Sequence, residues 1–175
     1  MKKRILALVG MAALLASGSN AYAATGHATA TIAGALTVSQ DADGVNGGVL
    51  TFGHIIPDAE TPGTVTVAAS GTNDSFAVTV TTQITQSPAQ FAVSGDSGTG
   101  YSVTLPGAAT LHKTGALVIT DMAVTNFTSN LIDNKGTLSD PAGQGTFKVG
   151  AKLAVAAAQP SGVYNGTFDV TVLYQ

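Results

Sequence analysis

The chain has 175 residues, no cysteine and no tryptophan, and only 10% of its side chains are charged. Three of its seven basic residues, Lys2, Lys3 and Arg4, sit at the extreme amino terminus; the rest of the chain keeps four lysines, no arginine and a net charge of −6. That balance excludes nucleic acid and anionic membrane surfaces as partners, since both demand clustered cations. The missing cysteine excludes disulfides, so stability must come from packing.

The basic start runs into an almost unbroken apolar stretch from Ile5 to Ala16, followed by the small residues around Ala21-Tyr22-Ala23. This is the pattern of a secretory signal peptide over residues 1–23, cleaved between Ala23 and Ala24, and the apolar stretch is short for a membrane span. No membrane span is expected after cleavage. The remaining 152 residues suit one domain.

Residues 28–38 alternate for eleven positions without a charge, with Ile32, Leu36 and Val38 on one face and Gly34 between them. Residues 24–39 are therefore an amino-terminal alternating strand, set apart from a body over residues 40–175. An Asp-, Gly- and Asn-rich loop follows over residues 41–48, then a short strand over residues 49–53 closed by Pro57. Alternation returns over residues 64–69 and again at Phe76, Val78 and Val80, after the turn at Gly71-Thr72-Asn73-Asp74. Short strands are expected at Phe91 and Val93 and over residues 101–105, stopped by Pro106-Gly107. Residues 117–120 and 122–127 read as two more, with less regular alternation, and residues 131–145 as a polar loop. Phe147, Val149, Ala151, Leu153 and Val155 alternate with Lys148 and Lys152 on the outer face.

The final fourteen residues alternate most clearly. Tyr164, Phe168, Val170, Val172 and Tyr174 share one face, and Asn165, Thr167, Asp169 and Thr171 share the other. No stretch after the leader has a convincing helical period. Many short strands punctuated by Gly and Pro predict an all-β antiparallel sandwich, with a closed barrel as the alternative. Strands of about six residues are too short for an outer-membrane barrel.

Catalytic material is poor. The histidines are His27, His54 and His112, no serine lies in a nucleophile-elbow pattern, and Glu60 is the single glutamate. No enzyme activity and no cofactor are expected. Asp41, Asp43 and Asn46 offer oxygen ligands in a Gly-rich loop, a weak candidate for calcium that lacks a closing Glu. What remains is backbone chemistry. An uncharged alternating segment at one end and an alternating strand at the other are the ingredients of β-strand addition, in which an extended segment pairs with an open sheet edge. On spacing alone, residues 28–38 serve equally well as the first strand of their own domain.

The end of the chain resembles chaperone–usher pilins, which have a penultimate tyrosine and a glycine fourteen residues from the carboxyl terminus. Here these are Tyr174 and Gly162. The resemblance implies an immunoglobulin-like, pilin-like sandwich. It also implies a chaperone and usher acting on an edge strand of Gly162, Tyr164, Phe168, Val170, Val172 and Tyr174. The donor strand would present Ile32, Gly34, Leu36 and Val38 to a neighbour's groove. The cysteine pair of many such pilins is absent. Over most of its length the chain also resembles the secreted bacterial family catalogued as domain of unknown function 4402. That likeness is carried by Leu50-Thr51-Phe52-Gly53, Phe91-Ala92-Val93-Ser94-Gly95, Tyr101-Ser102-Val103-Thr104-Leu105-Pro106, Val149-Gly150-Ala151-Lys152-Leu153 and Gly162-Val163-Tyr164-Asn165-Gly166-Thr167-Phe168. It implies a secreted β-sandwich and brings no activity with it.

The expectation is an exported structural subunit, passing through the periplasm to a surface filament or fimbria. It would polymerise head to tail with copies of itself by strand donation. The alternative is a monomeric extracellular or periplasmic binding module for a glycan or surface ligand, with its segment folded on its own body and residues 41–48 or 131–145 as the contact surface.

Overall fold

The computed structural model describes residues 34–40, 48–115 and 121–175. Among them, helical structure is confined to one three-residue 3-10 turn, Ile132–Asn134. The strands are β1 Thr37–Gln40, β2 His54–Pro57, β3 Gly63–Val67, β4 Asp74–Phe76, β5 Val78–Thr81 and β6 Ala89–Ser94. They continue as β7 Gly100–Thr104, β8 Ala108–Lys113, β9 Met122–Ser129, β10 Lys135–Thr137, β11 Gln144–Val155, β12 Tyr164–Asn165 and β13 Thr171–Tyr174. The protein is all-β, with antiparallel sheets in a sandwich-like arrangement.

β11 is the spine. Its inward residues Phe147, Val149, Ala151, Leu153 and Val155 are all buried, while Lys148 and Lys152 point outward, as a period of two requires. Twelve residues are long for a strand, and the length is shared between neighbours. Along one edge, residues 144–149 pair with β6 and residues 151–155 with β3. β9 pairs along the other edge. The large sheet runs β1-β6-β11-β9-β8-β12, with β3 also on β11 and β4 beyond β3. A three-stranded sheet, β10-β7-β13, packs Tyr101 and Val103 against Phe91, Val93, Phe147 and Val149. β2 and β5 form a separate ribbon.

The core has two buried clusters. One gathers Phe52, Val65, Val67, Met122, Val124, Leu153 and Val155; the other is centred on Phe91, Tyr101, Leu138 and Phe147. Leu50 and Phe127 pack against both. Phe168 meets Phe127 with ring centroids 5.2 Å apart and Phe91 edge-on at 6.1 Å, so the C-terminal stretch is held by aromatic contacts.

Several features differ from the sequence expectations. Residues 49–53 make only the isolated bridge of Thr51 to Ser87, and the strand falls after them as β2, with Pro57 inside it. The last fourteen residues are not one strand, because only Tyr164–Asn165 and Thr171–Tyr174 pair, on different sheets. Phe76 does not share a strand with Val78 and Val80. Ala77 takes a left-handed φ of 52°, which ends β4 and leaves Phe76 66% exposed. β8 begins directly after Pro106-Gly107, where no strand is expected. Residues 131–145 are not all loop: β10 pairs with β7, and Leu138 is 1% exposed. The irregular alternation of β9 is a bulge, because the pairing shifts between Gly150 and Lys152. Asn126, at φ 52°, takes up the extra residue there, so the inward set passes from Met122 and Val124 to Phe127. The expected strand over residues 117–120 lies outside the described residues.

Candidate functional site

Among the described residues a groove lies between two stretches of chain that are not paired with each other. One wall is residues 48–55 and the other is residues 159–168. The floor is formed by core residues: Leu111, Met122, Val124, Phe127, Leu153 and Val155. The space forms two adjacent cavities, of about 210 Å³ and about 520 Å³, which share Val49, Leu50, Phe52, Leu111 and Gly166 in their linings. Around the mouth stand Val49, Ile84 and Val163, at 56%, 50% and 66% exposure.

Local chemistry explains both walls. Thr51 exchanges backbone hydrogen bonds with Ser87, its N–H donating to the Ser87 carbonyl at 2.9 Å and its carbonyl accepting at 3.0 Å. Backbone groups of successive residues in an extended chain point to opposite edges. The amides and carbonyls of Leu50 and Phe52 therefore face the groove, and neither makes a backbone hydrogen bond to another described residue. On the far wall, β12 pairs with β8 and β13 with β7, so the stretch from Gly162 to Tyr174 crosses from one sheet to the other. Between those strands Thr167 and Phe168 likewise make no backbone hydrogen bond to a described residue. Gly166 lets this wall approach β8: a Cβ there would lie 2.9 Å from Leu111 Cδ2 and closer still to the Thr110 carbonyl. Below the larger cavity, the Tyr164 hydroxyl donates to the Pro160 carbonyl at 2.7 Å and accepts from Gln159 Nε2 at 3.0 Å, fixing the loop.

Of the edge-strand residues inferred from the sequence, Gly162, Tyr164 and Phe168 line the groove, while Val170, Val172 and Tyr174 lie away from it. Tyr164 packs on the first cluster, and Phe168, Val170, Val172 and Tyr174 on the second, while Gly162 is exposed at the groove mouth. The donor-strand residues are placed otherwise. Val38 pairs with Val93 inside the same molecule, as part of β1 on β6, and Leu36 packs on the second cluster. Gly34 donates its N–H to the Asp96 carboxylate. Ile32, the cleavage residues Ala23 and Ala24, and the calcium candidates Asp41, Asp43 and Asn46 lie outside the described residues. Among the described residues no group of three potential metal ligands occurs.

The two described histidines are separated, and His27 lies outside the described residues. His54 Nδ1 lies 3.0 Å from Thr81 Oγ1 on the β2–β5 ribbon, and His112 Nδ1 lies 2.8 Å from Asp121 Oδ1 at an exposed edge. Among the described residues two titrating groups are shifted, neither of them lining the groove. The Asp58 carboxylate accepts the N–H groups of Glu60 and Thr61, which holds its pKa below the usual carboxylate range. Burial pushes the Tyr101 phenol up. Sequence reasoning missed the wall at residues 48–55. Its only signal was the motif Leu50-Thr51-Phe52-Gly53, which carries no information about whether an edge is paired.

The family model described as Domain of unknown function (DUF4402) matches residues 36–174. The chain belongs to this family. No curated protein and no solved structure matches it. The family match begins at Leu36 and ends at Tyr174, so it takes in β1, both groove walls and the whole C-terminal stretch.

Proposed function

We propose that this DUF4402 protein is an exported structural subunit that assembles by accepting an extended segment of a neighbouring copy into the groove. The observation that carries this reading is an apolar floor between two walls in which Leu50, Phe52, Thr167 and Phe168 make no backbone hydrogen bond to another described residue. The groove offers main-chain donors and acceptors over an apolar lining, the requirements of an added strand; the aromatic groups in it, Phe52, Phe127, Tyr164 and Phe168, are also what the alternative, a glycan site, would use.

The donated stretch is residues 24–33, preceding β1, because Leu36 and Val38 already belong to their own molecule. Gly26, Ala28, Ala30 and Ile32 form its apolar face. Donation from one body to the next is head to tail and need not close, so it produces a filament. Before assembly the apolar groove needs cover, the task of a periplasmic chaperone on residues 162–174. One observation favours the alternative, a monomeric module: Thr37–Gln40 remains on its own β6.

The test is the assembly state of the mature chain, read by size-exclusion chromatography with light scattering and by electron microscopy of sheared cell-surface material. SDS-resistant oligomers or fibres are expected, with growth capped by excess peptide of residues 24–33. Folded monomers indifferent to the peptide would sink the subunit reading and turn attention to ligand screens.

A further inference from the structure

Three observations meet at Asn165-Gly166, on the wall of the larger cavity. The first is chemical. When glycine follows asparagine, no Cβ shields the backbone nitrogen from the preceding side-chain amide. The second is steric. A Cβ at residue 166 would crowd Leu111 Cδ2 and the Thr110 carbonyl, so the packing of this wall on β8 requires glycine after Asn165. The third is the backbone. The Val163 carbonyl accepts the Thr114 N–H at 2.8 Å, and Tyr164 and Asn165 pair with Lys113 and His112. Alternation then turns the Gly166 N–H away from β8, and it makes no hydrogen bond to a described residue. The Asn165 side chain is exposed, and its one hydrogen bond to a described residue runs from Nδ2 to Thr114 Oγ1 at 3.0 Å. Other asparagines are held differently. Asn73 is bonded through both Oδ1 and Nδ2, and Asn130 and Asn134 accept on Oδ1 from the Lys148 N–H and the Ser129 hydroxyl. None of these three precedes a glycine, nor does Asn126. The other Asn-Gly pair, Asn46-Gly47, lies outside the described residues.

We infer that Asn165-Gly166 is a self-modification site, at which the folded wall converts its own asparagine to aspartate and isoaspartate. The Gly166 nitrogen attacks Asn165 Cγ. The N–Cγ bond forms, the Cγ–Nδ2 bond breaks, and Nδ2 leaves as ammonia with the proton that the Gly166 nitrogen gives up. Water then opens the cyclic imide at either carbonyl. Opening at the side-chain carbonyl leaves aspartate in an ordinary backbone. Opening at the main-chain carbonyl leaves isoaspartate, with the chain running through Cγ. The balance is one water in and one ammonia out, with no oxidant or cofactor. The fold sets the rate. β12 is two residues long and pairs only with β8, at the end of the large sheet, so attack needs only this short pairing to open. The Thr114 hydroxyl, by holding Nδ2, acts as a positioning residue that slows the reaction. The product carries a carboxylate on the cavity wall and, in the isoaspartyl form, an added backbone carbon between Tyr164 and Phe168. Those two rings pack on different core clusters, so the added carbon strains the crossing between them. The chemistry is the same whether or not the groove accepts a strand.

The experiment holds the folded mature chain at mildly alkaline pH, below its unfolding temperature, and follows each asparagine over time by peptide mapping with mass spectrometry. Isoaspartate is read separately, by enzymatic methylation of its carboxylate. Asn165 is expected to convert about tenfold faster than Asn126, Asn130 and Asn134, and to give both products. Asn165→Gln should remove the isoaspartate signal from this peptide. Thr114→Val should quicken the conversion about fivefold through the lost hydrogen bond, while Thr114→Ser, which keeps the hydroxyl, stays near wild type. Amide exchange over β11 is measured in each variant, so that a general loosening of the fold is told apart from release of one side chain. The site is overturned if Asn165 stays intact in the folded chain, or converts no faster than the other three asparagines. The role of Thr114 is overturned if the valine variant converts at the wild-type rate, or if its faster conversion comes with equally faster exchange over β11.

Discussion

The two ends of the C-terminal stretch make the instructive comparison. At Tyr174 the chain is enclosed: β13 pairs with β7, the ring packs on the second core cluster, and the hydroxyl accepts the Asp96 N–H. At Gly162 to Phe168 the same alternating pattern continues, and the inward side chains still reach the core, but the neighbouring wall at residues 48–55 stands off across a cavity of about 520 Å³. Side-chain alternation is satisfied equally in both places. What differs is the partner of the backbone edge. Burial of a face and pairing of an edge are separate requirements, and a chain can meet the first while leaving the second to another molecule.

This contrast can be broken from either side. The largest effect is expected from Leu138→Ala at the closed end, where a fully buried side chain leaves a cavity costing about 3 kcal/mol, read by urea unfolding. Gly166→Val should come next. It drives a branched side chain into Leu111 and the Thr110 carbonyl and costs about 2 kcal/mol, and it should also narrow the groove enough to abolish capping by the peptide of residues 24–33.

A pH titration sharpens the closed end further. Burial raises the Tyr101 pKa in the folded state, so the folded protein holds that proton more tightly than the unfolded chain. The contribution is complete below the unfolded tyrosine value of about 10 and is lost as pH rises through the folded value, so stability should fall above about pH 10. Tyr101→Phe should flatten that alkaline limb in thermal melts. The smallest effect on folding is expected from Ile84→Asp on the groove rim, within about 0.5 kcal/mol of wild type because the side chain is half exposed. Monomer solubility should rise and assembly should weaken, and light scattering separates the two.

Much of the fold was legible. Alternation in β11 and in the C-terminal stretch named the inward residues correctly, since a one-residue error would have placed Lys148 and Lys152 in the core. The misses have local causes. β8 opens with Ala108-Ala109-Thr110, which has too little contrast between faces to reveal a period, and Pro106-Gly107 looked like an ending. Leu138 is a lone leucine among polar residues, and only the approach of β7 buries it. At Asn126 a left-handed residue changed the phase of β9, which no periodic count can foresee. For the site, the inward face of residues 162–174 was readable. The opposite wall was not, because hydrogen-bond pairing between strands far apart in sequence is a property of the assembled sheet.

The position of β11 has a consequence for when the molecule can form. It supplies the shared edge for β6, β3 and β9, and it is encoded at residues 144–155, near the end of the chain. Contacts this distant in sequence must wait for loop closure, which makes such topologies slow to fold. A growing chain lacks the full central strand of the large sheet until about nine-tenths of it has been synthesised. Until then β3, β6 and β9 lack their common neighbour, so the large sheet cannot close early in synthesis, and strands made first must wait for one made near the end.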